Sequence, residues 1–447
     1  MRQRFFEPAA TGAVASLRRP AVVDAASRHL CAESALFGRR VDGPAGRDGD
    51  VFDDNVFLNV AEPFCFVAVG VQGAGKSHTV ATIVESCLLA VDGPPEQPIA
   101  VLEKPMAVLA MHYSQNPHDV CELAGLFRPA PALAATMGDL RAKRVVVLVS
   151  PTFYSQRVSH YEGAGVEVRP LLFNWASLSA AQLRAIMRLD DDANQQLYVS
   201  VALDLLRRYQ QECKLPLFED FVVELSELCG ASSQLAPLTQ RLRLLESVLV
   251  ESTRNREIGL SEKHVALRDV VASGTLVVAD LTDPLLSPAD ANGLFQVLLE
   301  QFRACSVDAG KVLVLDEAHR YISGKSGFAT AVVATTRVMR HEAMRVVVST
   351  QSPLTLPPEL LELASVAALH GFHSADWYNF LKSKLAIPED GFATVRRLDP
   401  GEALLFAARA ALGDGNGDGG EDGRECPVVR VRPRLTSDLG ASRRTAG

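Results

Sequence analysis

Short, continuous apolar runs recur along much of the chain. The clearest lie at residues 64–69, 107–111, 145–149, 275–279, 312–315 and 346–348, and further candidates lie at 365–369, 404–406 and 428–431. Runs of this length that end in glycine or polar residues are typical of strands buried on both faces of a sheet. Segments with helical spacing separate several of them. The pattern therefore predicts an α/β fold in which strands and helices alternate around a mostly parallel sheet.

One block of the chain departs from this alternation. From about residue 178 to residue 251 no strand-like run occurs, and apolar residues repeat every three or four positions. Two such stripes are Leu197, Val201, Leu205 and Tyr209, and Leu238, Leu242, Leu245 and Leu249. This spacing places apolar side chains on one face of a helix. It predicts a subdomain of three or four helices inserted into the sheet domain.

The pattern divides the chain into five segments. We expect residues 1–56 to form an N-terminal extension that is partly loop-like, 57–175 the first part of the core, 176–265 the helical insertion, 266–436 the second part of the core, and 437–447 a tail. Two stretches are predicted to lie outside regular elements because glycine and charged residues dominate them. The stretch 38–54 is predicted to be an exposed linker, and the acidic stretch 413–423 a mobile loop.

Composition restricts the class of protein further. The chain has 447 residues, of which 48% are hydrophobic and 22% charged, as in ordinary globular proteins. No apolar run reaches the roughly 18–20 residues of a membrane span, and the first dozen residues lack the apolar core of a secretory signal. Glu7 and Asp24 argue against an organelle transit peptide. We therefore expect a soluble protein of the cytoplasm or nucleus that contacts no membrane.

Charge and cysteine content bear on partners and metals. The chain has 45 Lys+Arg against 53 Asp+Glu, and its net charge of −8 argues against a protein that coats nucleic acid with its whole surface. A protein that grips a strand through a few pore residues remains compatible with this charge. None of the eight cysteines forms a CxxC pair, so their spacing indicates neither a zinc module nor a disulfide framework.

A complete phosphate-binding loop of the form GxxxxGKS occupies residues 70–77, directly after an apolar run and before a helix-compatible segment. Glycines let such a loop point its backbone N–H groups at phosphates, and the following helix adds its dipole. Lys76 brings a positive charge to the β- and γ-phosphates, and Ser77 offers a hydroxyl to Mg²⁺. We assign nucleotide binding to Gly70, Gly73, Ala74, Gly75, Lys76, Ser77 and His78.

Two carboxylates follow a second apolar run, at Asp316 and Glu317. In a P-loop ATPase the first acid orients the hydrated Mg²⁺, so Asp316 is assigned to the metal through water. The second can act as general base on the attacking water, which is the role assigned to Glu317. The presence of both acids favours hydrolysis, because a kinase-like transfer would take its base from elsewhere.

A third apolar run ends at Gln351. Parallel strands that end at one edge of a sheet place Gly70, Asp316 and Gln351 at the same crevice. We therefore expect Gln351 to sense the γ-phosphate or to hold the attacking water.

The segment 336–345 contains three arginines, which we interpret as lying on one helical stretch. They form either a solvated face or an arginine finger that neutralises transition-state charge at the nucleotide of a neighbouring subunit. For the finger, Arg340 is favoured over Arg337.

In combination these motifs resemble the HerA/FtsK group of ring-forming P-loop ATPases, and most closely its HerA-like branch. The resemblance is carried by residues 70–77, 277–283, 312–321, the arginine segment, 346–353 and 428–436. It implies a RecA-like core, a homo-oligomeric, hexameric ring, and translocation of duplex DNA driven by ATP with Mg²⁺. It also implies the sensor role for Gln351 and the trans finger role for Arg340. The first 60 residues have no clear counterpart of the small N-terminal barrel typical of HerA helicases.

Other functions compete with this interpretation. The letters DEAH at residues 316–319 suggest a DEAH-box RNA helicase, but too few residues follow Glu317 for the second RecA-like domain that such an enzyme needs. An ATPase could also use its nucleotide state as a conformational switch for a protein partner, without moving nucleic acid. A nucleotide-bound scaffold with negligible turnover is a third possibility, and the pair of acids argues against it.

Overall fold

A computed structural model describes residues 19–41, 54–89, 99–132, 140–189, 197–212, 216–230, 232–322, 326–412 and 426–439. The acidic stretch predicted at 413–423 lies outside these ranges, as do residues 42–53 of the predicted linker. Residues 38–40 of that linker are described and belong to a strand, so this part of the linker prediction is wrong. No helix in the described ranges is long and apolar enough to cross a membrane.

Fifteen strands form one sheet. They are β1 Val22–Asp24, β2 Ser34–Arg40, β3 Asn55–Asn59, β4 Cys65–Val69, β5 Ala100–Val101, β6 Ala107–Ser114, β7 Arg144–Val149, β8 Glu167–Pro170, β9 Thr275–Thr282, β10 Lys311–Leu315, β11 Met344–Thr350, β12 Val366–Leu369, β13 Glu402–Ala407, β14 Ala410–Ala411 and β15 Val428–Val431. Each apolar run that the sequence marks as a strand contributes to one of them.

The sheet has a parallel and a largely antiparallel part. Its order is β14-β1-β3-β2-β15-β13-β12-β4-β11-β10-β6-β9-β7-β8, with β5 paired to β2. All neighbours from β12 to β8 pair in parallel. From β12 towards β1 the pairs are antiparallel. The predicted α/β class with a mostly parallel sheet is confirmed.

The described part of the first 60 residues is more ordered than the sequence suggests. It supplies β1, β2 and β3, which extend the sheet beyond β15. The apolar pattern missed β1 because it has three residues, and β2 because it carries Gly38, Arg39 and Arg40. Strands of an antiparallel sheet need only one buried face, so they lack the continuous apolar runs of the parallel part.

Helices cover the faces of the sheet and fill the interval between β8 and β9. They are α1 Lys76–Leu88, α2 Tyr154–Tyr161, α3 Ala180–Ile186, α4 Leu197–Glu212, α5 Phe218–Cys229, α6 Ser232–Ser247, α7 Thr253–Glu257, α8 Leu267–Val270, α9 Pro288–Ala304, α10 Gly327–Val338, α11 Pro358–Glu362, α12 Ala375–Lys382 and α13 Gly391–Val395.

In the described residues between β8 and β9 the regular elements are helices, in accordance with the two predicted apolar stripes, and one isolated bridge joins Phe173 to Leu249. Leu205 and Tyr209 on α4 are buried, and so are Leu238 and Leu242 on α6. Trp175 packs against α5, with its ring centroid 5.2 Å from Phe218 and 5.3 Å from Phe221. The boundaries of an inserted subdomain at 176 and 265 stay a prediction.

Candidate nucleotide-binding site

The phosphate-binding loop connects β4 to α1. Gly73 and Gly75 have φ angles of +78° and +110°, in the left-handed region that side chains disfavour. A Cβ on Gly75 would also come within 2.8 Å of the backbone nitrogen of Gly401. That neighbouring segment holds the loop in place, because Gly401 N donates a hydrogen bond of 3.1 Å to Ala74 O. The glycines are thus required by backbone conformation and by a close backbone approach.

Lys76 begins α1 and is buried at 4% relative exposure. Its Nζ donates a hydrogen bond of 2.9 Å to Val71 O, within the same loop. Burial lowers the pKa of Lys76, and the carboxylates of Glu317 and Asp316 act against that effect. The charged amine therefore lies in the electrostatic field of both acids.

The next two residues of the loop differ in their surroundings. Ser77 is partly buried and lines the same crevice as Lys76. His78 also lines it, but its Nε2 lies 2.8 Å from Arg432 O. The ring of His78 is thereby tied to the segment after β15.

Asp316 follows the last residue of β10. Its backbone nitrogen donates to Met111 O at 3.0 Å, and its Oδ2 accepts a hydrogen bond of 3.0 Å from Nδ1 of His112. Both side chains are almost completely buried, with side-chain exposures of 5% for His112 and 10% for Asp316. The orientation of the Asp316 carboxylate is therefore set by a neighbouring strand.

Glu317 has a φ of +49°, which is rare outside glycine and is often found at functional sites. Its Oε2 accepts a hydrogen bond of 2.7 Å from Nε2 of Gln351. Burial raises the pKa of Glu317, and the charge of Asp316 raises it further.

Burial lowers the pKa of His319, close to Glu317, to about 4, so the His319 ring is neutral at physiological pH. Gln351 N donates to its Nδ1 at 3.3 Å.

These side chains meet in one crevice of about 490 Å³ at the carboxyl edge of the parallel strands. Its lining includes Lys76, Ser77, Asp316, Glu317 and Gln351. The sheet order explains the meeting, because β4, β11 and β10 are adjacent and parallel. A larger cavity of about 720 Å³ elsewhere is lined by none of these residues.

The crevice also contains residues that the sequence analysis did not select. Nη1 of Arg320 donates to Ser114 Oγ at 2.9 Å and to Asp119 Oδ2 at 2.7 Å. Burial, assisted by the nearby Asp438 and Asp316, raises the pKa of Glu122 to about 7. His112 could have been found, because it follows the apolar run 107–111 at the sheet edge that holds Asp316.

The arginine segment is not one helical stretch, which corrects that prediction. Helix α10 ends at Val338, and Arg345 lies in β11, where it is buried and donates to Val60 O at 2.7 Å and Ala61 O at 2.8 Å. Arg337 pairs with Glu359 at 2.6 Å.

Arg340 is exposed and lies in the turn between α10 and β11. It therefore lies at the amino edge of the parallel strands. The nucleotide crevice of the same chain opens at the opposite edge.

Comparisons with known proteins gave matches among solved structures only. A scan against protein-family models and a search of curated protein sequences gave no match. VirB4 of Thermoanaerobacter pseudethanolicus is 13% identical, with a TM-score of 0.50 over 89% of this chain and 96% of that chain.

Two weaker likenesses are to proteins solved with a bound nucleotide analogue. The plasmid coupling protein TrwB with GDPNP is 12% identical, with a TM-score of 0.47 over 91% of this chain and 95% of that chain. The genome packaging NTPase B204 from Sulfolobus turreted icosahedral virus 2 with AMPPCP is 17% identical, with a TM-score of 0.25 over 32% and 66%.

At these identities the likeness concerns the fold, and VirB4 shares it over nearly the whole of both chains. The crevice adds to this likeness a glycine-rich phosphate-binding loop with its lysine and serine, and two acids that face them. The chain thus has the fold of VirB4, with a candidate P-loop nucleotide site at the carboxyl edge of its parallel strands.

Proposed function

We propose that the protein hydrolyses ATP with Mg²⁺ in this crevice. The observation that carries the proposal is the convergence of Lys76, Ser77, Asp316, Glu317 and Gln351 on one cavity from three neighbouring strands. Lys76 and the backbone of the loop bind the phosphates, as the geometry of such loops requires.

The residues present fit a magnesium ion. Ser77 and Asp316 bring a hydroxyl and a carboxylate to the same crevice, and oxygen ligands of this kind are those that Mg²⁺ prefers. When bound, the ion supplies charge neutralisation at the transferred phosphoryl group. The hydrogen bond from His112 keeps the Asp316 carboxylate in a fixed orientation for this task.

Glu317 is the proposed general base. Its raised pKa makes the carboxylate a better proton acceptor than an exposed glutamate, and the positive charge of the nearby Lys76 opposes part of that rise. Gln351 holds one carboxylate oxygen by its hydrogen bond, so the other oxygen is available to take a proton from water. Lys76 stabilises the negative charge that develops on the phosphates.

The finer proposal is a ring oligomer that uses hydrolysis to translocate or remodel duplex DNA. It is supported by the motif resemblance to the HerA/FtsK group, whose members assemble as rings. A conformational switch acting on a protein partner, without movement of nucleic acid, is the alternative. The two differ in whether DNA stimulates turnover.

The first experiment measures ATP hydrolysis by purified wild-type protein and by Lys76→Ala. We expect the variant to lose at least about 100-fold in turnover, because the positive charge at the β- and γ-phosphates is gone. Lys104→Ala is the matched control, since Lys104 is half-exposed and forms a surface pair with Asp308. Wild-type turnover in Lys76→Ala would refute the assignment of the site.

The second experiment repeats the assay with duplex DNA over a range of salt concentrations. Stimulation that fades with rising salt supports translocation, because protein contacts to phosphates release counterions. Turnover that is indifferent to DNA at every salt concentration would contradict the DNA role. The protein-partner switch would then be the better description.

A third experiment tests the trans finger at Arg340. We expect Arg340→Ala to lose turnover while it keeps nucleotide binding and oligomer size. Mixing it with Lys76→Ala should partly restore activity, because mixed rings contain some intact interfaces. Failure to recover activity in rings shown to be mixed would refute the trans role. Because Arg340 lies at the amino edge of the strands, this role requires the neighbouring subunit to place its crevice against that edge.

A further inference from the structure

Three side chains that could together bind a metal ion lie at the crevice, and one of them is Asp316, the residue also assigned to magnesium. His112, Cys121 and Asp316 each offer one ligand atom, and the three atoms all lie within 4.8 Å of one another. All three residues are buried. Nothing in the phosphate chemistry described above uses Cys121.

Two neighbouring strands and a short helix bring these residues together. Strands β6 and β10 are parallel with Met111 opposite Leu315, so the next residues, His112 and Asp316, are also neighbours. Cys121 precedes the 3₁₀ segment Glu122–Phe127. His112 thus lies within β6, Asp316 directly follows β10, and Cys121 lies at the start of a short helix.

A second layer of hydrogen bonds holds Cys121 in place. Its backbone nitrogen donates to the hydroxyl of Tyr161 at 3.3 Å, and that hydroxyl donates to Asp280 Oδ2 at 2.6 Å. Asp280 is also paired with the fully buried Arg157. Supporting layers of this kind are typical of metal sites, where they fix the ligands.

The donor set has a definite chemical preference. Imidazole, thiolate and carboxylate together suit Zn²⁺ and related thiophilic cations, whereas Mg²⁺ takes oxygen ligands. A thiolate and a carboxylate would also balance the two positive charges of such an ion. Ligand atoms around a tetrahedral zinc ion lie about 3.3–3.5 Å apart, so side-chain movements of about 1 Å would bring these three atoms to such distances.

One observation on an individual group agrees with a cation at this place. Among the described residues, Nε2 of His112 is buried and has no hydrogen-bond partner, although buried polar atoms usually have one. A bound cation would give this nitrogen a partner.

We propose that His112, Cys121 and Asp316 bind a thiophilic divalent cation, with Zn²⁺ as the best match, and that its binding inhibits hydrolysis. Inhibition follows because Asp316 cannot hold zinc and orient the hydrated magnesium ion at the same time. This second statement rests on the proposed ATPase function, whereas the binding statement does not. Three protein ligands leave a fourth position for water, as in zinc sites that are not closed.

The binding statement is tested with Co²⁺ on the purified full chain, without nucleotide. Cobalt bound to a thiolate gives a charge-transfer absorption, so we expect this band to saturate at one cobalt per chain and to disappear on addition of Zn²⁺. Cys121→Ser should abolish the band. Cys305→Ser is the matched control and should keep it, because Cys305 is a free, half-buried cysteine outside the crevice.

Two results would overturn the site: no band in the wild-type protein, or an undiminished band in Cys121→Ser. If Cys121→Ser fails to fold, as judged by circular dichroism and thermal unfolding, His112→Gln provides the second test. It keeps all cysteines, so a full-strength band in that variant would equally contradict the three-residue site.

The inhibitory statement is tested by titrating Zn²⁺ into the magnesium-dependent ATPase assay. Each variant is compared with its own rate in the absence of zinc. We expect half-inhibition of Cys121→Ser to need at least about tenfold more zinc than the wild-type protein or Cys305→Ser needs. Equal sensitivity of all three would refute inhibition through this site. If the wild-type protein had no ATPase activity, the cobalt result would still decide the binding statement.

Discussion

Two glutamates with little or no solvent exposure lie near helix α1 in different surroundings. Glu85, on the helix itself, is fully buried and accepts hydrogen bonds from Nη1 of Arg432 at 2.8 Å, from Oγ1 of Thr436 at 2.6 Å, and from the backbone nitrogens of Leu435 and Thr436. Glu317, in the crevice at the start of the helix, has one strong side-chain donor, Gln351, and the negative charge of Asp316 beside it.

The difference distinguishes a structural carboxylate from the proposed general base. A buried charge that is paired and fully hydrogen-bonded is compensated, so Glu85 fastens the segment 432–436 across α1. Glu317 has fewer donors and a raised pKa, so it accepts a proton more readily, which is the property that a general base needs. The number of hydrogen-bond donors is the main difference between the two side chains.

The largest effect is expected from Glu317→Gln. This change keeps the shape of the side chain and removes the proton acceptor, so turnover should fall by about 10²–10⁴-fold. Nucleotide affinity should hold, because the phosphates are bound by Lys76 and the loop. Turnover and ATP-analogue binding are measured on the same preparation. A variant that loses binding and turnover together would mark Glu317 as structural, like Glu85.

The next largest effect is expected from Glu85→Ala. It leaves the Arg432 guanidinium buried without its carboxylate, and breaking such pairs costs about 3–5 kcal/mol in the free energy of unfolding. Urea unfolding measures the loss. A cost below about 1 kcal/mol would show that water or rearrangement satisfies Arg432, and the contrast with Glu317 would then weaken.

Gln351→Ala should have an intermediate effect. The Glu317 carboxylate would lose the donor that orients it, and misplacement of a catalytic group by about 1 Å can cost about 100-fold in rate. We expect turnover to fall by roughly 10- to 100-fold, with thermal stability almost unchanged. If thermal stability fell clearly while turnover was retained, Gln351 would be a structural residue and would not orient Glu317.

Arg337→Ala should have the smallest effect and serves as the control for Arg340. The pair of Arg337 with Glu359 is exposed, with side-chain exposures of 60% and 57%. Such pairs contribute about 0–1 kcal/mol to the free energy of unfolding. Turnover should equal that of the wild-type protein. A loss as large as that of Arg340→Ala would mean that the whole turn, and not Arg340, matters for activity.

The chemistry of the crevice was largely predictable from sequence. The parallel strands are buried on both faces, so they read as continuous apolar runs, and the polar residues that follow them mark one edge of the sheet. Asp316, Glu317 and Gln351 were selected by that rule and Lys76 by the GxxxxGKS motif, and the structure brings them together. Their catalytic roles stay predictions.

The remainder depends on contacts that no local pattern encodes. The segment 336–345 was predicted to be helical, but its last two residues, Met344 and Arg345, belong to strand β11. That strand pairs with β10 and β4, and Arg345 is buried there. Glu85 lies in α1, and its partner Arg432 follows it by 347 residues. Cys121 lies nine residues after His112, and only the fold brings the distant Asp316 to both of them.

The link between Glu85 and the segment 432–436 also sets an order of events during protein synthesis. Ribosomes add about 5–20 residues per second, so roughly 20–70 s separate the synthesis of Glu85 from that of Arg432. Throughout that interval the helix that follows the phosphate-binding loop carries a carboxylate without its partners. A nascent chain would therefore acquire its nucleotide site late, after the last strand of the sheet has emerged.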